Sequence, residues 1–455
     1  MSEREPPVTA RLAAFVSGYP AGGVPPEATA QVRRAALDLL GVIVAGSAEP
    51  AGRRARAYAT TQAGNGPAAV IGGGVRCTPA LAALANGTAG HALDYDDIGL
   101  GAGHVSVSIM PAALAVAEFA GATGAQFGEA MVLGYEVASR LSRVAADAVS
   151  GPYAYGFHKP SVYAVFGGAA ATARLLGLDT AATGHALGIA ASQTGGLRVN
   201  FGTMTKPLHA GVANRTAVEA ALLAQAGFTA SPTALEGRFG WHDAIARGDG
   251  DLGLVLDGLG EERFAVEEGF VFKRFPCCGA NHHAIDAVLG LVAEHDLTPD
   301  DVAEIAVRIE ARYLDEVLVY PWPTSGLEGK FSLAYNVAAA LMDRAVTIDT
   351  FTDERVAALA PARERVRVLG DPELSRDAAV VTVRTADGRE LHRDQRVLRG
   401  SLADPLSWTM LVEKFVANTG GFLKEADSAE VVDRLEHLEE QASLASLTEL
   451  LVGQP

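Results

Sequence analysis

The sequence predicts a mainly α protein, a large all-α helical domain interrupted by a smaller α+β domain, and three observations carry that prediction. Apolar residues recur at helical spacing through the first 230 positions. Composition then shifts at a Gly/Asp-rich stretch, Arg247–Leu259. Period-two alternation appears only beyond it, before helical spacing resumes at Pro405. The expected division is therefore 1–259 with 401–455 as the helical domain and 260–400 as the α+β domain.

Taken in order, Pro26–Gly46 places Val32, Ala35, Ala36, Leu39, Leu40, Ile43 and Val44 on one stripe, the pattern of a helix with one buried face. Alanine-rich segments at Pro79–Leu93, Ile109–Ala122, Gln126–Ala146, Ser161–Gly177, Thr180–Gln193 and Leu208–Gly227 predict further helices. Their Ala and Gly content permits close helix approach. In the second part, Glu304–Glu310 alternates as a strand. Ala378–Thr385 and Glu390–Leu398 flank Asp387-Gly388, a hairpin-turn pair. Helices are expected at Asn281–His295 and Phe331–Asp343, with a helix start at Thr298–Asp301. Trp408–Val416 and Ser428–Leu451 return to helical spacing.

Composition narrows the function. The longest apolar run, Leu39–Ala45, falls far short of the roughly 20 residues of a membrane span. The opening Met1–Arg11 has no apolar core of a secretory signal, and the three cysteines, Cys77, Cys277 and Cys278, fit a reducing compartment, so a cytoplasmic location is expected. A net charge of −17 disfavours nucleic acid as a partner. An anionic substrate would need the few clustered cations. There is no phosphate loop, dinucleotide fingerprint, nucleophile elbow, His-Glu-x-x-His or Cys-x-x-Cys, so side-chain chemistry without cofactor or metal is expected.

Five segments bear on that chemistry. His91-Ala92-Leu93-Asp94-Tyr95-Asp96-Asp97, followed by a glycine-rich stretch to His104, packs three carboxylates into four residues, which raise one another's pKa. Such a cluster suits an acid–base site pairing Asp94 with His104; a solvated helix end and a metal site are the other readings. Gly156-Phe157-His158-Lys159-Pro160 sets a histidine beside a helix start, where the positive end favours the neutral imidazole. Asn200–Gly211 places Lys206 at a helix mouth before Pro207. Lys273–His283 combines two cations with a His pair at a helix start, a plausible anion pocket. Pro321–Asn336 puts Lys330 and Ser332 at another.

In this order the segments resemble the MmgE/PrpD family, which contains 2-methylcitrate dehydratases, cis-aconitate decarboxylases and iminodisuccinate epimerases. The resemblance covers nearly the whole chain and implies a helical domain, an α+β lid domain, an active site in the cleft between them and a homodimer. Motif by motif, it carries the decarboxylases' aspartate to Asp94, their histidines to His104, His158 and His282, and their lysine to Lys206. Ile98 stands where they have threonine, Val105 where they have proline, and Tyr320 is out of register with their tyrosine. The Asn200–Pro207 segment and the Cys-x-Ala-Asn-His run look more like the epimerases.

The expectation is proton transfer beside a carboxylate of a small di- or tricarboxylic acid, foremost a dehydratase-like hydro-lyase. The alternatives are an epimerase of an iminodisuccinate-like acid, a cis-aconitate-type decarboxylase, or a non-catalytic carboxylate-binding protein. His104 and His158 are the acid–base candidates, Asp94 their orienter and His282 a donor. Lys206, Lys273, Lys330 and Ser332 would hold substrate.

Overall fold

The computed structural model describes residues 7–62, 66–145, 151–260 and 263–453. Expectations falling on Met1–Pro6 and on Ala146 lie outside the described residues. The protein is mainly helical, and its buried apolar side chains gather into two principal cores. One draws on residues from Val8 to Phe272 and again from Leu406 to Leu451. The other runs from Phe275 to Val383.

The first core is built around helix Pro26–Ser47, which starts with proline in its first turn and Glu27 at its positive end. Helix Trp408–Thr419 crosses it where Gly41 meets Phe415, and helix Pro79–Ala92 crosses where Gly46 meets the Ala89 carbonyl. Gly87 and Gly211 perform the same service between Pro79–Ala92 and Thr205–Gln225. Buried Asn214 ties Thr205–Gln225 to the segment before and within helix Met110–Ala120 by accepting from Ala112 N at 2.9 Å and donating to Val107 O at 2.8 Å. Helices Met110–Ala120, Gly124–Ser142, Val165–Leu175 and Thr180–Ala191 complete the bundle. Among the described residues, no single helix is long and apolar enough to cross a membrane.

Two small strands, β1 (Ala68–Val70) and β2 (Val75–Cys77), form a separate hairpin. The main sheet contains β3 (Val302–Glu310), β4 (Val366–Asp371), β5 (Ala379–Thr385) and β6 (Glu390–Gln395) in the order β4-β3-β5-β6. β4 runs parallel to β3, and the other pairs are antiparallel. Ile305, Val307, Ile309, Val381 and Val383 are buried with apolar residues of helices His282–His295 and Leu333–Asp343.

Some local expectations need correction. Thr298–Asp301 does form a capping box, but it closes a single 3₁₀ turn that feeds β3, because the alternation from Val302 takes over at once. Ser428–Leu451 is not one helix. It divides into Glu425–Glu436, a 3₁₀ turn at Leu438–Glu440 and Ala445–Val452, where Gly124 N donates to Gln441 O and Ser443 Oγ accepts from Ala445 N. Helices Val8–Gly18 and Pro50–Gln62 were not expected.

Candidate active site

Helix Pro79–Ala92 ends one residue after His91, and the chain turns sharply at Asp94, whose φ of 53° lies in the left-handed region that few non-glycine residues adopt. Gly101 and Gly103, also at positive φ, fold the following loop back, so His104 returns against the carboxylates it left behind. Ile98 pairs with Val271 in an isolated bridge, which ties the loop to the segment carrying Lys273.

The three crowded acids have three different environments. Asp94 receives Lys273 Nζ at 2.6 Å on Oδ1 and Lys206 Nζ at 3.0 Å on Oδ2. Burial opposes its ionisation, but the two ammoniums outweigh burial and hold its carboxyl well below the usual range. Asp96 lies between two imidazoles, with Oδ1 at 2.9 Å from His91 Nδ1 and Oδ2 at 2.9 Å from His104 Nδ1. These contacts outweigh its burial, and it too is ionised. Asp97 accepts from Ser106 N at 3.2 Å, yet burial pushes its carboxyl up to about 8, so at neutral pH it is largely a neutral core acid.

An ionised Asp96 accepting from both Nδ1 atoms assigns the proton of each ring to that nitrogen and leaves Nε2 as the lone-pair side. Burial keeps these rings neutral: it depresses His104 to about 3 and lowers His91. His104 Nε2 lies 3.6 Å from Asp94 Oδ1. A proton gained there would face a carboxylate on each side of the ring. Asp96, rather than Asp94, therefore orients His104, which corrects the expected assignment.

His158 enters from the neighbouring segment, immediately before a π-helical turn at Pro160–Ala164, a geometry frequent at functional sites. Its backbone N–H donates to Gly196 O, and its Nδ1 lies 3.2 Å from Nδ1 of His209. Burial, then the Lys206 charge, holds His158 well below the usual histidine range. Lys206 occupies the first turn of Thr205–Gln225, with His209 three residues on and hence on the same face. Its ammonium lies 5.6 and 5.1 Å from the Phe201 and Phe331 ring centres. Lys273 spends donors on both the carbonyl and the carboxylate of Asp94.

Asp94, His104, His158, Lys206, Lys273 and His282 line one cavity of about 550 Å³. His282 is buried, with Nε2 3.3 Å from Cys277 O, and burial lowers it to about 3. Two expected substrate ligands do not line this cavity. Lys330 donates to the carbonyls of Leu93 and Pro276, and Ser332 caps helix Leu333–Asp343 by accepting from Tyr335 N. Both brace the wall instead.

Sequence reasoning passed over His91, Asp96 and His209. The signals available were the remaining acid of the cluster and the three-residue spacing between Lys206 and His209. It also missed Arg376 in the cavity lining, which His283 of the expected anion pocket shares. Arg376 is neutralised by Glu316 at 2.9 Å and Glu310 at 3.4 Å. Two overlapping groups have the composition to hold a metal: His91, His104 and His158, and His91, Asp94, Asp96 and His104. In each, the ligand atoms lie within 4.8 Å of one another.

Two family models together match most of the chain. The MmgE/PrpD N-terminal domain matches residues 10–251 and the MmgE/PrpD C-terminal domain matches residues 275–438. Cis-aconitate decarboxylase of Homo sapiens is 29% identical over 469 residues, covering 98% of this chain and 95% of that protein. The cis-aconitate decarboxylase of Mus musculus is 28% identical, with 98% and 93% covered. One from Aspergillus terreus is 26% identical, with 85% and 84% covered.

Proposed function

Because the chain belongs to the MmgE/PrpD family, we propose that it is a lyase that removes a proton beside a carboxylate of a small di- or tricarboxylic acid, with dehydration of a hydroxy acid as the favoured reaction. The observation that carries this reading is His104, a neutral imidazole with Nδ1 held by Asp96 and Nε2 turned toward the Asp94–Lys206–Lys273 cluster. Such a group is a base set beside fixed positive charge.

In the proposed step His104 Nε2 takes the α-proton, and the electron pair of that C–H bond moves onto the substrate carboxylate as an enolate. Lys206 stabilises that charge. It pairs with a single Asp94 oxygen and has N–H groups to spare, whereas Lys273 is committed twice to Asp94. The enolate then collapses to an alkene, the β-C–O bond breaks, and the departing hydroxide takes the proton back from His104 as water. His158, neutral and on the same cavity, is the alternative base. This one-base route suits a site whose imidazoles are all held neutral.

A second reading, decarboxylation, is favoured by the named activity of the relatives. Against it stands Ile98, an apolar side chain in the cavity wall where the resemblance calls for threonine. Proton NMR in deuterium oxide with citrate, 2-methylcitrate and cis-aconitate tests the choice. Alkene signals from a hydroxy acid are expected. Carbon dioxide release from cis-aconitate would replace dehydration by decarboxylation, and deuterium exchange without conversion would point to an isomerase.

We further propose that the second core belongs to a lid domain, 260–400, over a helical domain of 1–259 and 401–455. The separate cores and the origin of cavity residues in both segments support it. A homodimer is proposed on the family likeness. Sedimentation at micromolar concentration should give a species of twice 47.1 kDa, and a single species at 47.1 kDa would oppose it.

A further inference from the structure

The proposed chemistry calls for no metal, yet His104 and His158 of the cavity lining, with His91 buried beside them, have the form of a transition-metal site. We propose that His91, His104 and His158 form a binding site for a divalent transition cation of the zinc type, and that its occupation ties up the imidazoles needed for proton transfer.

Four observations converge. Each ring offers a nitrogen within 4.8 Å of the other two. The Nδ1 atoms of His91 and His104 are both engaged by Asp96 at 2.9 Å, which leaves their Nε2 atoms as ligand atoms, and with His209 as acceptor for His158 Nδ1 at 3.2 Å the Nε2 of His158 is the third. A carboxylate behind metal-ligating imidazoles is the usual outer shell of zinc, fixing the tautomer and raising ligand basicity. His91 Nε2 is buried and has no hydrogen-bond partner, an expensive state for a polar atom in a residue only 1% exposed. A bound cation would satisfy it.

The local charge permits this. Lys206 and Lys273 are balanced by Asp94 and Asp96, so the pocket around the neutral imidazoles carries no net formal charge. Tetrahedral zinc at about 2.0–2.1 Å from each nitrogen needs them about 3.4 Å apart, a closure of side chains already in ring contact. The rings of His91 and His104 are 4.3 Å apart between centroids, and those of His91 and His158 are 5.7 Å apart. Three imidazoles leave the fourth position of a tetrahedral ion to water. Imidazole ligands select zinc, cobalt, nickel or copper over magnesium or calcium.

The test titrates purified, chelator-treated full-length protein with Zn²⁺ by calorimetry, and with Co²⁺ by visible spectroscopy, in the absence of substrate. It is therefore independent of the lyase reading. One Zn²⁺ per chain is expected. Co²⁺ should give tetrahedral or five-coordinate bands without thiolate charge transfer, and zinc-edge X-ray absorption should show nitrogen and oxygen neighbours with imidazole scattering. His91→Gln and His158→Gln should abolish stoichiometric binding, and Asp96→Asn should weaken it about 10–100-fold, the scale of losing an outer-shell partner. Circular dichroism on each variant separates lost binding from lost folding, and the X-ray absorption of the unmodified protein stands without any variant. No stoichiometric binding, sulfur neighbours from Cys277 or Cys278, or unchanged affinity in both folded histidine variants would overturn the proposal.

Discussion

Within the acidic cluster, position alone says little and partner says everything: Asp94 is neutralised by lysines, Asp96 by imidazoles and Asp97 by its own proton. That division makes two substitutions informative. Lys206→Met removes the ammonium with donors to spare, and turnover should fall about 10²–10³, the scale of losing one electrostatic donor to an oxyanion. It also strands Asp94 Oδ2, so denaturant unfolding should show a loss of about 1–3 kcal/mol. A variant with normal turnover on the identified substrate would remove this lysine from the mechanism. Asp96→Asn keeps the shape but frees the tautomers of two histidines. Turnover should drop by up to about 10²–10⁴, the scale of the general-base catalysis by the His104 that Asp96 positions, with the pH–rate profile displaced. An unmoved profile would leave Asp96 a merely structural residue. Asp94, His104, His158 and Lys206 stood out in the sequence because each sits in a dense polar motif. Asp96 and His91 were hidden because their importance lies in a bond to each other, formed only when the loop folds back at Gly101 and Gly103.

Helices followed apolar spacing closely where a proline opened them, as in Pro26–Ser47 and Pro79–Ala92. The sequence misled where tertiary contacts decided. β4 has little alternation of its own and exists because its backbone pairs with β3 from Ile305↔Val366 onward. The break between Glu425–Glu436 and Ala445–Val452 likewise carries a long-range contact, Gly124 N to Gln441 O. Small residues at helix crossings were legible as a composition, and their effect is most testable at Gly211. A Cβ there would run into Thr88 Oγ1 and lie 2.5 Å from the Leu84 carbonyl, which is backbone and cannot swing aside. Since one helix carries His91 and the other Lys206 and His209, Gly211→Ala should separate the site's two walls. It should lower stability by about 1–3 kcal/mol or more and reduce activity in the fraction still folded. A thermal melt indistinguishable from that of the unmodified protein would show that the crossing has room to spare.

For the molecule as a whole, the site's buried imidazoles dominate the response to acid. Burial holds His104 and His282 down at about 3 and His209 at about 4, from an ordinary value of about 6.5. Between those limits the unfolded chain binds protons that the folded chain refuses. Folding is therefore opposed by acid throughout the window, and stability rises with pH across it. Asp94 and Asp96 also favour the folded state at neutral pH, but their carboxyls are lowered from an ordinary value of about 3.9, so their contribution is lost only at still lower pH. Asp97, kept protonated up to about 8, opposes them between about 3.9 and 8 with one proton of the other sign, so the fall of stability between pH 6.5 and 4 is the excess of the histidines over that carboxyl. Chemical denaturation at pH 7.5, 6 and 5 should give a progressively smaller unfolding free energy. The slope should approach about 1.36 kcal/mol per pH unit for each such histidine, less whatever water reaches the ring. His282→Gln, which keeps a donor for Cys277 O, should flatten the slope by up to one proton's worth. A profile that stays level from pH 7.5 to 5 would mean that these rings already hold protons in the folded protein, and with that the neutral base assigned to His104 would be lost.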